Sequence, residues 1–276
     1  MFSIDFTLIT LLISGITILL YFRNINLSNK IKNEQEAEKQ KQSFLATLVH
    51  DLKTPTNAQI NTLKLLKNGT FGQLTTEQYH MIELTHDSCR YMSDLISTIM
   101  ETYNCDYGNV HLQKSEFDIS ELIIELCESV KTLAMYNHQQ IKFTMNQSCT
   151  IYADKLQIKR VLQNLLSNAI TYGFKNTTIE IILKTNKNSI EISVKNISKQ
   201  IPQNELATIF DKFKKTNFSN FNKAGTGLGL YLSKQIVNLH NGKIYAESLD
   251  DGTCIFGFRI PAATKINDNK FCYTTP

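Results

Sequence analysis

A histidine and an aspartate stand side by side at His50 and Asp51, in a stretch whose apolar residues repeat at helical spacing. At about 100° per residue, His50 lies about 200° around such a helix from Leu48 and Leu52, so its imidazole points into solvent. A carboxylate that accepts a hydrogen bond from one ring nitrogen leaves the other nitrogen as a nucleophile. Thr54 lies one turn further along the same face. Taken alone, the pair is far more typical of a surface histidine beside a surface aspartate.

Two asparagines, Asn164 and Asn168, lie on one face of a predicted helix because they are four residues apart in the segment NLLSNA. Asparagine offers a neutral carbonyl oxygen, and Mg²⁺ takes few protein oxygens beside substrate phosphates and water. The spacing could therefore serve a magnesium site. Without further motifs, two solvated asparagines are the alternative.

A glycine-rich segment precedes another predicted helix. It consists, in order, of Gly225, Thr226, Gly227, Leu228, Gly229 and Leu230. Glycine lets the backbone approach a phosphate closely and take positive φ, and the N-terminus of the following helix favours an anion. The segment is neither a dinucleotide-binding fingerprint, because Leu230 stands where that pattern has glycine, nor a P-loop, because no Gly-Lys-Ser/Thr follows. A glycine-rich turn without a ligand is the alternative.

The three motifs together resemble those of the sensor histidine kinases of two-component systems. The histidine box of that family usually reads F-x-x-x-x-x-H-E-[LI]-[RK]-T-P-L. Residues 44–55 (FLATLVHDLKTP) match it, with Asp51 in place of Glu, and Thr56 stands where Leu is usual. NLLSNA resembles the asparagine box of the family and GTGLGL its second glycine box. The resemblance covers residues 44–262.

The resemblance implies the chemistry of a protein-histidine kinase. His50 would attack the γ-phosphorus of ATP in line, while Asp51 orients the imidazole and accepts its proton. Asn168 would hold Mg²⁺ with support from Asn164, and the backbone amides of residues 225–229 would hold the phosphates. Thr54 resembles the residue that positions water when such proteins dephosphorylate their response regulator.

Further positions resemble the remainder of the family's nucleotide site. Tyr172 matches an aromatic residue near adenine, and Phe210 and Phe213 match the phenylalanine box that anchors a mobile lid. Lys215 follows that box, where a lysine could meet triphosphate charge or remain merely solvated. Thr253 belongs to a segment that resembles the closing glycine–threonine strand.

One segment departs from the family pattern. Residues 194–202 read VKNISKQIP, where the family has V-x-D-x-G-x-G-I-P. Asn196 stands at the aspartate that reads the adenine amino group, and Ser198 and Gln200 stand at two glycines. We expect weakened or altered nucleotide binding. The departure motivates a second hypothesis, a kinase-impaired scaffold or phosphatase-biased partner. A third, an ATPase of the gyrase or chaperone type, leaves the histidine box unexplained and has Asn164 in place of the glutamate base.

The N-terminus predicts a membrane anchor. Residues 6–22 are a run of seventeen residues without a charge, near the lower limit for a membrane-spanning helix. Lysine and arginine are absent before the run, whereas Arg23, Lys30 and Lys32 follow it, so the positive-inside rule places the catalytic part in the cytoplasm. We expect a single pass through the bacterial cytoplasmic membrane. A cleaved signal peptide and a buried helix are the alternatives.

The remaining apolar patterns predict an α+β protein. Two helices joined by a turn at residues 67–72, the second capped by Thr75 or Thr76, form a hairpin whose uncovered apolar stripe favours pairing into a dimeric four-helix bundle. Beyond it, helices are expected over 119–135, 158–171 and 231–239, and strands over 141–145, 178–185, 189–195, 243–248 and 254–260. By resemblance, these form an α/β sandwich of the Bergerat or GHKL type that binds ATP.

The predicted domains are an anchor over 1–28, a connecting helix over 29–43, a dimerisation and phosphoacceptor domain over 44–106, a catalytic ATP-binding domain over 107–262 and a flexible tail over 263–276. The expected partners are a second copy of the chain and a separate response regulator. A net charge of +4 is too small to argue for nucleic-acid binding, and we expect no direct contact with nucleic acid. The six cysteines lack metal-site spacing and are expected to be reduced thiols.

Overall fold

The computed structural model describes residues 2–108, 110, 112–146, 148–186, 188–214, 226–261, 265–267 and 271–274, with backbone alone over 2–14, 16, 35, 265–267 and 271–274. The chain divides into two compact units, Met1–Ile96 and Ser97–Pro276. The first unit holds a helical hairpin, and the second holds the sheets.

The hairpin consists of α1 (Phe2–Lys67) and most of α2 (Thr76–Asp106). Its turn follows the prediction, with Gly69 and Gly72 both at positive φ, 72° and 116°. Of the two predicted caps, Thr75 is the one used. The backbone N–H of Gln78 donates to Thr75 Oγ1 (3.2 Å), and the Thr75 N–H donates to Gln78 Oε1 (3.0 Å). This reciprocal capping box fixes the start of α2.

The predicted apolar stripe of the hairpin remains accessible in the single chain, since Leu48 is 37 % and Leu52 is 47 % exposed. Thr56, where the family has leucine, is buried and donates its hydroxyl to the Leu52 carbonyl (2.7 Å). Its polar atom is therefore satisfied within α1. Over the described residues, no helix has a stretch long and apolar enough to cross a membrane.

The second unit alternates helices and strands after the end of α2. In chain order these are β1 (Ser115–Asp118), α3 (Ile119–Tyr136), β2 (Gln140–Met145), β3 (Ser148–Ala153), α4 (Lys155–Tyr172), β4 (Thr178–Thr185), β5 (Ser189–Ile197), α5 (Gln203–Leu206), α6 (Gly229–Leu239), β6 (Lys243–Ser248), β7 (Thr253–Pro261), β8 (Lys265–Asn267) and β9 (Phe271–Thr274). All the helices and strands predicted for this unit are present, with ends that shift by up to three residues.

The strands form two sheets. The larger has the order β6-β7-β5-β4-β2-β9, and the smaller has the order β1-β3-β8. Only β2 and β4 pair in parallel among the described strands. On β4, Ile179, Ile181 and Leu183 are buried while the residues between them are more accessible, as expected for a sheet covered on one face.

The helices α3, α4 and α6 supply the other half of the core. Their buried residues include Leu122, Leu126, Leu162, Leu165 and Ile236. These side chains form one cluster with the buried residues of β2, β4, β5 and β7. This layer of helices on a mainly antiparallel sheet is the α+β sandwich that was predicted.

Two features differ from the sequence-based expectation. The tail predicted to be flexible over 263–276 contains β8, which pairs with β3, and β9, which pairs with β2. Each covers an otherwise open edge of a sheet, which supplies the backbone hydrogen bonds that the tail lacks alone. The strands β1 and β3 were not predicted. The five cysteines whose side chains are described are free thiols.

Candidate phosphoacceptor and nucleotide sites

The side chain of His50 projects from α1 into solvent. It is 79 % exposed, and Asp51 beside it is 70 % exposed. The imidazole Nδ1 lies 3.3 Å from Asp51 Oδ1, so the carboxylate can hold this nitrogen and leave Nε2 facing outwards. The Thr54 hydroxyl donates to the His50 carbonyl at 3.0 Å. The structure therefore places Thr54 on the exposed helix face of His50 and Asp51 beside the imidazole, as predicted.

The asparagine pair lies on α4, and one of its members contacts the start of α6. Asn164 Nδ2 donates to Ser233 Oγ at 2.8 Å. A Cβ atom added to Gly229 would lie 2.4 Å from Asn164 Oδ1, so only glycine allows this approach. Asn168 lies one turn further along α4 and is half-buried. The amide oxygen of Asn164 thus lies beside the first residue of α6.

The N-terminus of α6 offers backbone donors. Among the described residues, no side chain caps this end of the helix, and Thr226 Oγ1 accepts from the Leu228 N–H at 3.1 Å. Unpaired N–H groups at a helix start, together with the helix dipole, favour an anion such as phosphate. Leu228 is buried and Leu230 packs against the core, so the two leucines anchor the glycine-rich segment to the core of the second unit.

Gly227 contacts the segment that carries the phenylalanine box. Its φ is 71°, and an added Cβ would lie 2.6 Å from the backbone carbon of Phe213. Phe210 packs against the core. Phe213 does not: its side chain is 70 % exposed. Its own φ of 60° turns the chain so that its backbone, rather than its ring, contacts Gly227. Lys215 and Gly225, both predicted site residues, lie outside the described residues.

The opposite end of α4 brings together a second set of predicted residues. Asn196 is 3 % exposed on β5, and Thr253 opposite Ile197 is 2 % exposed. Tyr172, the last residue of α4, is 37 % exposed. Gln139, which the sequence did not single out, is buried beside them and donates Nε2 to the carbonyls of Ile170 and Phe174 (both 3.3 Å). No motif signals this residue, because its role depends on long-range packing.

The segment that departs from the family pattern is well anchored. Ser198 is buried, and its hydroxyl donates to Cys254 Sγ at 3.1 Å. Gln200 donates Nε2 to Asp250 Oδ1 at 3.0 Å. The two side chains that replace glycines are therefore both hydrogen-bonded to the β6–β7 region, and these bonds restrain the segment.

The last residue of α2 contacts one residue that precedes the glycine-rich segment in the chain and one that follows it. Asp106 Oδ2 lies 2.5 Å from Lys212 Nζ, and Asp106 Oδ1 accepts from the Tyr231 hydroxyl. Burial and this hydrogen bond raise the pKa of Tyr231, and the same carboxylate raises the pKa of Lys212. Nothing in the motifs singled out Asp106, because its partners are more than a hundred residues away.

A buried histidine is hydrogen-bonded to the residue that caps the N-terminus of α4. His240 Nε2 accepts from the Asp154 N–H at 3.1 Å, and its Nδ1 lies 2.8 Å from the Ile236 carbonyl. Only a neutral imidazole can accept at Nε2 while it donates from Nδ1. Burial, which lowers the pKa of His240, favours this neutral form. The Asp154 carboxylate caps α4 by accepting from the Gln157 N–H (3.1 Å).

The residues present fit ATP and Mg²⁺. The space around Gly227 and Gly229, called the phosphate cradle below, would be filled by a Cβ atom on either residue. The backbone N–H groups at the start of α6 suit phosphates. The amide oxygens of Asn164 and Asn168 match the few protein oxygens that Mg²⁺ takes beside phosphates. These two asparagines would hold the metal. Across the described residues, no group of three or more His, Cys, Asp and Glu side chains is placed to hold a metal ion.

Two protein-family models match the chain. The His Kinase A (phospho-acceptor) domain matches residues 40–104, and the Histidine kinase-, DNA gyrase B-, and HSP90-like ATPase matches residues 153–264. The circadian input-output histidine kinase CikA of Synechococcus elongatus is 31 % identical over 236 residues, which cover 84 % of this chain and 31 % of that protein. The chain thus spans about a third of that relative's length.

Two solved structures share the fold. Full-length ShkA in complex with AMPPNP superposes with a TM-score of 0.69 at 22 % identity, covering 82 % of this chain and 47 % of that chain. Histidine kinase ThkA in complex with the response regulator TrrA superposes with a TM-score of 0.54 at 23 % identity, covering 83 % and 66 %. With both family domains present in the order that the motifs predict, the chain belongs to the sensor histidine kinases of two-component systems.

Proposed function

We propose that the chain uses ATP to phosphorylate its own His50 and then transfers the phosphoryl group to an aspartate of a separate response regulator. The observation that carries the proposal is the exposed His50 imidazole with Asp51 at its Nδ1, on a helix matched by the phospho-acceptor domain. A nucleophilic nitrogen must be accessible and correctly oriented, and this pair meets both needs.

His50 Nε2 forms a bond to the γ-phosphorus as the bond from that phosphorus to the ADP oxygen breaks. Asp51 orients the ring and takes the proton that the imidazole loses. Backbone N–H groups at the start of α6 would hold the phosphates. Asn168, with support from Asn164, would hold Mg²⁺, which would neutralise part of the phosphate charge. Phosphoryl transfer needs mainly positioning and charge stabilisation, which these groups supply.

The two domains indicate two partners, a second copy of the chain and a response regulator. The accessible stripe of the hairpin, with Leu48, Leu52, Leu84 and Met92 all exposed by more than a third, would be covered by a second copy in a four-helix bundle. The related ThkA is solved with a response regulator, which supports a regulator as the acceptor here. Thr54, on the His50 face, would position water when the regulator is dephosphorylated.

The membrane anchor rests on the sequence. The uncharged run 6–22 and the basic residues after it support a single span with the catalytic part in the cytoplasm. The full chain should stay in the membrane fraction after an alkaline wash, and Ile13→Arg with Leu19→Arg should release it. Leu27→Arg with Ile31→Arg, beyond the run, serves as the control. Equal retention of all three proteins would argue against the anchor.

The kinase-impaired scaffold remains the second candidate because Ser198 and Gln200 replace glycines. One experiment separates the two. The full chain, purified in detergent, is incubated with γ-labelled ATP with and without Mg²⁺. We expect Mg²⁺-dependent label on the chain, a loss of at least about tenfold in Asn168→Ala, and little change in Gln163→Ala, an exposed residue of the same helix. Mg²⁺-dependent ATP binding without any label would favour the scaffold.

A further inference from the structure

Three parts of the fold meet around a residue that has no side chain. Gly173 follows α4 and forms an isolated antiparallel bridge with Ser198. A Cβ atom on Gly173 would lie 2.5 Å from the Ala169 carbonyl oxygen, 2.8 Å from Gln139 Nε2 and 3.6 Å from Asn196 Nδ2. Two side-chain amides therefore converge on this point, one from the start of β2 and one from the end of β5.

The first amide, that of Gln139, has a side-chain oxygen that no described residue uses as an acceptor. Gln139 is 3 % exposed, and its Nε2 is used by the carbonyls of Ile170 and Phe174. Its Oε1 is buried and has no hydrogen-bond partner among the described residues. Buried polar atoms are nearly always paired, so this oxygen indicates a place that a water or a ligand donor completes.

The second amide continues a row of core residues. Asn196 follows Ile190, Ile192 and Val194 on the buried face of β5 and is itself 3 % exposed. Within the part of the chain that the structure describes, its side-chain amide makes no hydrogen bond. The group offers one donor and one acceptor side, and it is neutral.

These amides lie at the opposite end of α4 from the phosphate cradle. Asn164, which contacts Gly229 and Ser233, is nine residues before Gly173, about 13 Å along the helix axis. If the triphosphate occupies the start of α6, as the proposed function requires, an extended nucleotide running along α4 brings its base to Asn196.

The chemistry of the amide decides which base fits. A carboxylate only accepts, so where it faces the 6-position of a purine it favours the exocyclic amino group of adenine and repels O6 of guanine. An amide both donates and accepts, and rotation of its terminal bond presents the two in either order. It can therefore pair with the donor–acceptor edge of adenine and with the acceptor–donor edge of guanine.

We propose that Asn196 relaxes the base specificity of this site, so that the chain binds both ATP and GTP. The inference rests on the proposed function, because it assumes that the triphosphate occupies the cradle at α6. Asn196 is here a specificity-determining residue: it contacts the base and leaves the phosphate contacts unchanged.

The test compares two nucleotides on one protein. Equilibrium dialysis of labelled ATP and of labelled GTP, each with Mg²⁺, is performed on the full chain carrying His50→Gln so that neither nucleotide is consumed. We expect the two dissociation constants to agree within about tenfold. Asn196→Asp should weaken GTP binding relative to ATP binding, so that the dissociation constant for GTP divided by that for ATP rises by at least about tenfold. Asn188→Asp adds the same charge at an exposed turn before β5 and should leave the ratio unchanged.

The outcomes separate the inference from the function beneath it. If the parent chain binds ATP and excludes GTP by more than about a hundredfold, the inference is wrong and the kinase proposal stands. An unchanged ratio in folded Asn196→Asp would also overturn the role of Asn196. If neither nucleotide binds, the proposed function fails as well. The ratio measured on the parent chain decides the question even if Asn196→Asp does not fold.

Discussion

The carboxylate of Asp106 lies 2.5 Å from the ammonium nitrogen of Lys212, so the last residue of α2 is joined to a residue just before the undescribed segment 215–225. The same carboxylate accepts from the hydroxyl of Tyr231, just after the glycine-rich segment. Within the second unit, Asp106 therefore contacts one residue on each side of the candidate phosphate cradle.

Removal of this charge should destabilise the second unit modestly. The Lys212 side chain is 41 % exposed and that of Asp106 18 %, so solvent screens the pair and we expect Asp106→Asn to lower the free energy of unfolding by about 1 kcal/mol. Chemical denaturation of the full chain measures this. Asp211→Asn, at an exposed neighbouring position, is the control and should have a smaller effect. Equal effects of the two variants would mean that the Asp106 contact adds no stability.

Acid should weaken the second unit through His240. Burial lowers its pKa in the folded protein, so the unfolded chain takes up a proton near pH 6.5 that the folded chain refuses. The free energy of unfolding should therefore fall as the pH drops below about 6.5. Urea denaturation at pH 7.5 and 5.5 measures the difference. His240→Gln should reduce this pH dependence, whereas His138→Asn, at an exposed histidine, should retain it. The same slope in His240→Gln as in the parent chain would contradict the account.

Two glycines of the cradle should respond differently to alanine. At Gly229 the added Cβ meets the end of the Asn164 side chain, which can swing away and give up its bond to Ser233. We expect a folded protein whose ATP affinity falls by about tenfold or more. At Gly227 the Cβ meets the backbone of Phe213, and φ is 71°, so folding itself should suffer.

Binding of ATP and thermal unfolding, measured on each variant, separate the two effects. Gly15→Ala is the control, because an added Cβ there meets nothing within 4 Å. ATP affinity retained in Gly229→Ala would show that the position of Asn164 is not needed for binding.

Buried thiols should resist alkylation. Burial raises the pKa of Cys127 and of Cys149 to about 12, and that of Cys105 to about 11. Since the thiolate is the reactive form, iodoacetamide at pH 8 should leave Cys127 and Cys149 unmodified in the native chain and modify both in urea. Mass spectrometry of the digested protein provides the readout. Rapid labelling of either residue in the native chain would contradict its burial.

Much of the fold could be predicted from the sequence because its strongest patterns are local. The strands β4 and β6 have the bounds predicted from alternation, and the hairpin turn and the Thr75 cap follow from local chemistry. The strands β1 and β3 were missed because their positions depend on long-range pairing with other strands. The last strands were missed for the same reason.

The site divides in the same way. Thr54 shares the helix face of His50, Asp51 lies beside the imidazole, and Asn164 meets the glycine-rich segment, as spacing and resemblance indicated. Gln139 could not be predicted, because its contacts depend on where β2 begins relative to the end of α4. The exposure of Phe213 depends on a positive φ that its residue type does not favour.

The central claim is that His50 accepts the phosphoryl group, and the most direct test locates the phosphate. The full chain is incubated with γ-labelled ATP and Mg²⁺, then digested and analysed by mass spectrometry and ³¹P NMR. Because Asp51 occupies Nδ1, the account predicts acid-labile, base-stable phosphate on Nε2 of His50, absent from His50→Gln and retained in His80→Gln, an exposed histidine of α2. Phosphate that persists in His50→Gln, or that maps to another residue, would contradict it.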